Sequence, residues 1–263
     1  MEETGKHKRK KKQIKQNKKL KIAVLGILIF IFAIGIGYIG YYIYNNFKSQ
    51  NDDVLSNIAV DDKQITETKT ERILQLEELK KQNNDIIGWI EIENTIINYP
   101  VLQCEDNNFY MTHNYKKEYS AEGSIFLDKD YNWELPSSNL LLYGHNNKNK
   151  TMFAELLNYK EESYYKEHPT IRFTTLAEDK TYEIIAVFKS RVYYKSEKDV
   201  FRYYYFINAE NEEEYNNYIN ESKKASLYDT GKTATYGDQL LTLSTCEYSQ
   251  EDGRFVVVAK KVQ

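Results

Sequence analysis

Apolar residues in this chain change their period several times, and each change predicts an element. The longest apolar run is Ile22 to Tyr44, 23 residues without a charge. At ~1.5 Å rise per residue a helix of that length crosses a hydrocarbon core of ~30 Å. Residues 45–70 are polar and lack a sustained apolar period, as a stalk would. From Glu71 to Asn84, Ile73, Leu74, Leu76 and Leu79 recur among charges and predict an amphipathic helix. Beyond Ile86 the pattern turns to strands: Ile86–Ile92, then Ile96–Leu102 after Glu93-Asn-Thr. The β-rich pattern continues through Tyr110–Tyr115, Gly123–Asp128 and Asn139–Gly144. Met152–Tyr159 reads as a short helix, and Thr170–Thr174 and Tyr182–Phe188 as strands. Residues 207–226 interrupt this as a helix, with Asn208 or Asn211 as its cap, Glu in its first turn and Lys in its last. Leu240–Cys246 and the near-continuous apolar run Phe255–Ala259 are the final two strands, joined by a polar turn around Gly253. The sum is a mostly β, mostly antiparallel domain with inserted helices.

Charge gives the apolar run its direction. Residues 1–21 hold ten Lys/Arg against two Glu, and the remainder holds 26 basic and 37 acidic residues. A basic flank before the span, with Tyr38, Tyr41, Tyr42 and Tyr44 at its far end, predicts a cytoplasmic N-terminus and an outer aromatic belt. A cleaved signal peptide predicts a shorter core and a small-residue cleavage site. Here Tyr41-Tyr-Ile-Tyr-Asn-Asn follows instead, so the expectation is an uncleaved single-pass anchor with the acidic bulk outside the cell. The basic head is explained as a topology signal and not as a nucleic-acid patch. Four segments follow: 1–21 a basic head, 22–44 a transmembrane anchor, 45–70 an extracellular stalk, and 71–263 a folded domain.

Two cysteines, Cys104 and Cys246, are present. Outside the cell they have the option of a disulfide. A core this large needs no staple, so two free thiols are expected, with Cys104 structural. Cys246 ends one strand and Arg254 opens the next, so the two can face each other across the turn. A cation there favours a thiolate, or holds an oxyanion once the thiolate has attacked a carbonyl. The pair equally fits a buried core cysteine beside a surface arginine, and these residues alone leave both readings open. His145 ends the strand Leu140-Leu-Leu-Tyr-Gly in a similar setting, and an imidazole there is either a general acid and base or a structural hydrogen-bonder. No His/Cys/carboxylate cluster has metal-ligand spacing, so no metal and no cofactor is expected.

Taken together, Thr242-Leu-Ser-Thr-Cys246 with Arg254, and Tyr143-Gly-His145-Asn, resemble the sortase family. Gly88-Trp-Ile-Glu-Ile, Tyr99-Pro-Val, Gly123-Ser-Ile-Phe-Leu-Asp128 and Met152-Phe-x-x-Leu156 support the resemblance, which covers roughly residues 71–263. Ser244, the N-terminal amphipathic helix and the helix before the Cys strand resemble class B. The resemblance implies an eight-stranded sortase-type β-barrel and a calcium-independent cysteine transpeptidase. By position, Cys246 is the nucleophile, His145 the acid and base, and Arg254 the oxyanion or carbonyl partner. Ser244 is a candidate for substrate binding or for orienting the site. Tyr203, Tyr204 and Tyr205 lie in the loop that walls the groove in such enzymes, Tyr204 being taken as the substrate contact. Glu247 reads as a solvated turn residue. The implied partners are secreted proteins with a C-terminal sorting motif resembling Asn-Pro-x-Thr-x, and a peptidoglycan amine or its lipid-linked precursor. Two alternatives are a membrane-anchored peptidase that only hydrolyses and a non-catalytic surface binding domain.

Overall fold

The computed structural model describes residues 71–135 and 137–262. The expected head, anchor and stalk lie outside the described residues. Among the described residues no helix is long and apolar enough to cross a membrane.

Eight strands close into one barrel: β1 (Ile86–Glu91), β2 (Asn98–Leu102), β3 (Ile125–Leu127), β4 (Asn139–Tyr143), β5 (Thr170–Thr174), β6 (Asp179–Arg191), β7 (Leu240–Cys246) and β8 (Gly253–Lys261). Their order around the barrel is β1-β2-β3-β4-β7-β8-β6-β5. Most neighbours are antiparallel, as the turn-rich pattern predicts, but β2 with β3 and β4 with β7 run parallel. The β4–β7 pairing joins segments about a hundred residues apart, and no local pattern announces it.

Alternation along the strands makes two cores. Every strand sends residues to the barrel interior, among them Ile90, Val101, Leu142, Phe173, Val187, Leu243 and Val257. The outer faces of β4, β6, β7 and β8 carry a second layer that includes Leu141, Phe188, Leu240, Val256 and Val258. The long β6–β7 connection covers that layer with Tyr203, Phe206, Tyr215, Tyr218 and Ile219. Because both faces are buried, β8 reads as an unbroken apolar run. A register shift between Ile184 and Ala186 lets Ile185 and Ala186 both join the outer layer before Val187 returns inside.

Three helices complete the domain: α1 (Glu71–Gln82), α2 (Glu162–Glu167) and α3 (Glu212–Ala225). The amphipathic reading of α1 holds, with Ile73, Leu76 and Leu79 buried and the Arg72 guanidinium 4.3 Å above the Trp89 ring. α3 is shorter than expected at its start. Asn211 is the cap, its side chain accepting from the Glu214 amide at 2.9 Å. Asn208 instead accepts from the Ser138 amide at 3.2 Å and leaves 207–211 outside the helix. The expected strand at 110–115 is a 3₁₀ turn, Phe109–Met111. The Asp106 carboxylate causes the change by accepting from the amides of Asn108 and Phe109 and starting a turn. The expected helix at 152–159 is likewise a 3₁₀ turn, Ala154–Lys160, followed by α2.

Candidate active site

The register of three adjacent strands builds the site. In the β7–β8 pair Cys246 lies opposite Arg254. In the β4–β7 pair Tyr143 lies opposite Ser244. The strands stay together beyond that point: the Gly144 amide donates to Ser244 O at 3.2 Å, and the Thr245 hydroxyl donates to Gly144 O at 2.7 Å. The Asn146 side-chain Nδ2 then donates to Cys246 O at 3.0 Å. Continuing the register by two residues sets His145 beside Cys246. The separation of His145 and Cys246 in the chain is thus the offset of the parallel pair itself. Cys246 and Arg254 thus face each other across β7 and β8, and His145 lies two residues past Tyr143, on the line along which β4 pairs with β7.

They also share one face. Residues two apart point the same way along a strand. Leu240, Val256 and Val258 belong to the outer layer, so Cys246 and Arg254, at even spacing from them, face outward. His145 follows Leu141 and Tyr143 in the same way. Gly144 faces the barrel interior, where a Cβ would come within 2.4 Å of Ile125 and 2.7 Å of Phe153. No larger residue fits there, and this keeps the strand end in register with its histidine outward.

The environment suits reactive groups. Cys246, His145 and Arg254 are all half-buried. Both cysteines are free thiols. The Cys104 thiol donates to Asp106 O at 3.2 Å, and burial pushes its pKa up. The Arg254 guanidinium donates to the carbonyls of Asp252 at 3.2 Å and Gly253 at 2.9 Å, and no carboxylate pairs with it among the described residues. Its charge is felt by the phenols of Tyr143, Tyr203 and Tyr248. Among the described residues no cluster of His, Cys, Asp or Glu has the geometry to hold a metal.

The two proposed substrate contacts sit differently. Ser244 is buried at 2 % exposure, and its hydroxyl pairs with the Tyr203 hydroxyl at 2.8 Å. It therefore ties the covering loop to the cysteine strand. In the turn Tyr203–Tyr205, Tyr203 is buried, Tyr204 is half-buried and Tyr205 is exposed. The Tyr204 hydroxyl accepts from the Tyr193 amide at 3.0 Å and closes the loop on itself.

Glu247 is not the solvated turn residue expected from its sequence. It is buried, at 5 % exposure, between Lys189 at 3.2 Å and Lys160 at 3.6 Å. Burial alone raises a carboxyl pKa. The Ser249 hydroxyl and amide and the Lys189 ammonium outweigh it and hold Glu247 down to about 2. Both lysines come from distant elements, so sequence position gave no sign of them.

Sequence reasoning also assigned no role to Asn146, Thr245 and Tyr248. The first two pin β4 to β7 beside Cys246. Tyr248 is 74 % exposed and donates to Asn146 O at 3.2 Å, which makes it a rim over the site. The only signal for Asn146 is its position directly after the histidine.

Known proteins share the fold and about a third of the sequence. The family model for the sortase domain matches residues 90–262. Sortase B of Listeria monocytogenes is 34 % identical over 252 residues, 93 % of this chain and 96 % of that protein. The Staphylococcus aureus sortase B–substrate complex superposes with a TM-score of 0.65 at 34 % identity, covering 72 % of this chain and 85 % of the other. Sortase B from B. anthracis superposes with a TM-score of 0.67 at 32 % identity, covering 86 % and 99 %. A closed eight-stranded barrel and likeness over most of the chain lead to one conclusion: this chain belongs to the sortase family, beside its class B members.

Proposed function

We propose that this sortase is a cysteine transpeptidase that cuts a C-terminal sorting motif after a Thr and joins the new end to a peptidoglycan amine. Membership of the family carries a transpeptidase role in general. The observation that supports it is Cys246 facing Arg254 across β7 and β8, with His145 two residues beyond the last β4–β7 pair.

The steps follow from the groups. The Cys246 thiolate attacks the Thr carbonyl carbon and forms a C–S bond. Arg254, free of any carboxylate, stabilises the negative oxygen of the tetrahedral intermediate. The C–N bond breaks as the His145 imidazolium gives its proton to the departing amine. A thioester remains on Cys246. The acceptor amine gives a proton back to His145, attacks the thioester carbon, and the sulfur leaves as thiolate. Ser244 and Tyr203 hold the covering loop against the reactive strand, and Tyr204 shapes the wall along which the motif peptide lies. A sortase B–substrate complex of the S. aureus relative supports substrate binding on this barrel.

The setting completes the proposal. Residues 1–21 are a cytoplasmic head, 22–44 a single membrane anchor, 45–70 a stalk, and 71–263 the catalytic domain outside the cell. The anchor holds enzyme, secreted substrate and lipid-linked precursor at one surface.

A test uses a peptide of the form Asn-Pro-x-Thr-x with and without a glycine peptide as acceptor. Ligated product that requires the acceptor supports transfer. Cleavage at an unchanged rate with no ligated product would make the protein a hydrolase. Neither cleavage nor ligation, with a thiol reagent reacting no faster at Cys246 than at a free thiol, would make it a binding domain.

A further inference from the structure

We propose that the β2–β3 connection is a positioning device for His145, and that the Met111 carbonyl selects Nδ1 as the ring nitrogen that carries the catalytic proton. The inference rests on the reading of His145 as acid and base, and it names the atom that does the work.

The His145 Nε2 atom lies 2.7 Å from Met111 O. A carbonyl only accepts, so Nε2 carries a hydrogen in every state that keeps this contact. Nδ1 has no hydrogen-bond partner among the described residues. In the neutral ring Nδ1 is therefore the bare nitrogen, and the proton that comes and goes does so there. A neutral imidazole otherwise exchanges between two tautomers, one of which offers the wrong nitrogen to the sulfur.

The carbonyl is held in place. Phe109–Met111 is one 3₁₀ turn, started by Asp106. The His113 ring stacks on Phe109 at 4.0 Å, and its Nδ1 donates to Phe109 O at 2.8 Å. Below it Tyr110 is fully buried, and its hydroxyl donates to Asp85 at 2.7 Å. From the other side the Ser124 amide donates to Tyr110 O and its hydroxyl to His113 O. Gly123 makes the close approach possible. Its φ is +64°, and a Cβ there would come within 2.7 Å of the carbonyl oxygens of Met111 and Tyr110 and 3.0 Å of the His145 ring.

The test is the nitrogen spectrum of the full-length chain carrying ¹⁵N-histidine, with His145 assigned by its loss in His145→Gln. At a pH where the ring is neutral, a protonated Nε2 and a bare Nδ1 are expected. The reverse tautomer, or an even mixture, would overturn the proposal. Gly123→Ala sharpens the result: the tautomer signature should broaden into a mixture and kcat fall about tenfold or more, with KM little changed. A folded Gly123→Ala protein with the wild-type signature and kcat would also overturn it. The wild-type spectrum decides the matter if that variant does not fold. Failure of the parent reading looks different, because His145→Gln would then keep full transfer activity whatever the tautomer.

Discussion

Leu243 and Ser244 are neighbours in β7 and answer to different physics. Leu243 points into the barrel, where aliphatic side chains from all eight strands pack without polar partners. Ser244 points the other way, into a layer roofed by tyrosines whose hydroxyls are paired: Tyr203 with Ser244 at 2.8 Å, Tyr218 with Thr242 at 2.9 Å, and Tyr215 with Asp238 O at 2.8 Å. The inner face is mostly a matter of volume, its few tyrosine hydroxyls bonded outward, as Tyr182 is to Gln239 at 2.9 Å and Tyr159 to His168 O at 2.8 Å. The outer face depends on its pairings, because a buried unpaired hydroxyl costs more than a paired one gains. One strand thus anchors the fold with its odd positions and presents Cys246 with its even ones. Chemistry gathers where the roof ends and the strand emerges half-buried.

That contrast can be broken most severely at the reactive end. Cys246→Ala should abolish cleavage and ligation of a motif peptide while the unfolding midpoint stays at the wild-type value. Arg254→Ala should lower kcat/KM roughly 100- to 1,000-fold, as expected for losing an oxyanion donor, again with the fold intact. Steady-state kinetics beside thermal unfolding checks both. The inner face should respond in the opposite way. Leu243→Ala leaves Cys246, His145 and Arg254 in place but should cost about 2–5 kcal/mol of stability in urea unfolding. Ser244→Ala tests the roof: the Tyr203 hydroxyl loses its buried partner, for a cost of about 1–3 kcal/mol.

The smallest effect belongs to the ion pairs beneath the turn. The folded protein holds Glu247 down to about 2 against an ordinary 4.5. A depressed carboxyl stabilises the fold above its unfolded pKa, and that contribution fades as pH falls through the folded value. Wild-type stability should therefore decline between pH 4.5 and about 2, and Glu247→Gln should flatten this part of the profile. Equal slopes for the two proteins would deny Glu247 that role.

Legibility followed the range of the forces. The strands, the helix at 71–82 and the facing pair Cys246 and Arg254 were readable because period two, period 3.6 and a short turn are local patterns. The Asp106 turn was hidden because a single carboxylate outweighed an apolar alternation. The partnership of His145 with Cys246 came to light from a family resemblance, not from spacing, since the offset has meaning only once β4 and β7 are known to be parallel neighbours. Glu247 was misread because Lys160 and Lys189 reach it from other elements. The Met111 carbonyl could not be foreseen, since backbone groups carry no sequence signal.

The central claim is that Cys246, His145 and Arg254 make and break a thioester. Intact-mass spectrometry of the protein mixed with a motif peptide tests it most directly. The account predicts an added mass equal to the peptide through its Thr, mapped to Cys246, discharged by a glycine peptide, and absent in His145→Ala. No adduct with any motif peptide that the protein cleaves, or an adduct on Cys104, would contradict it.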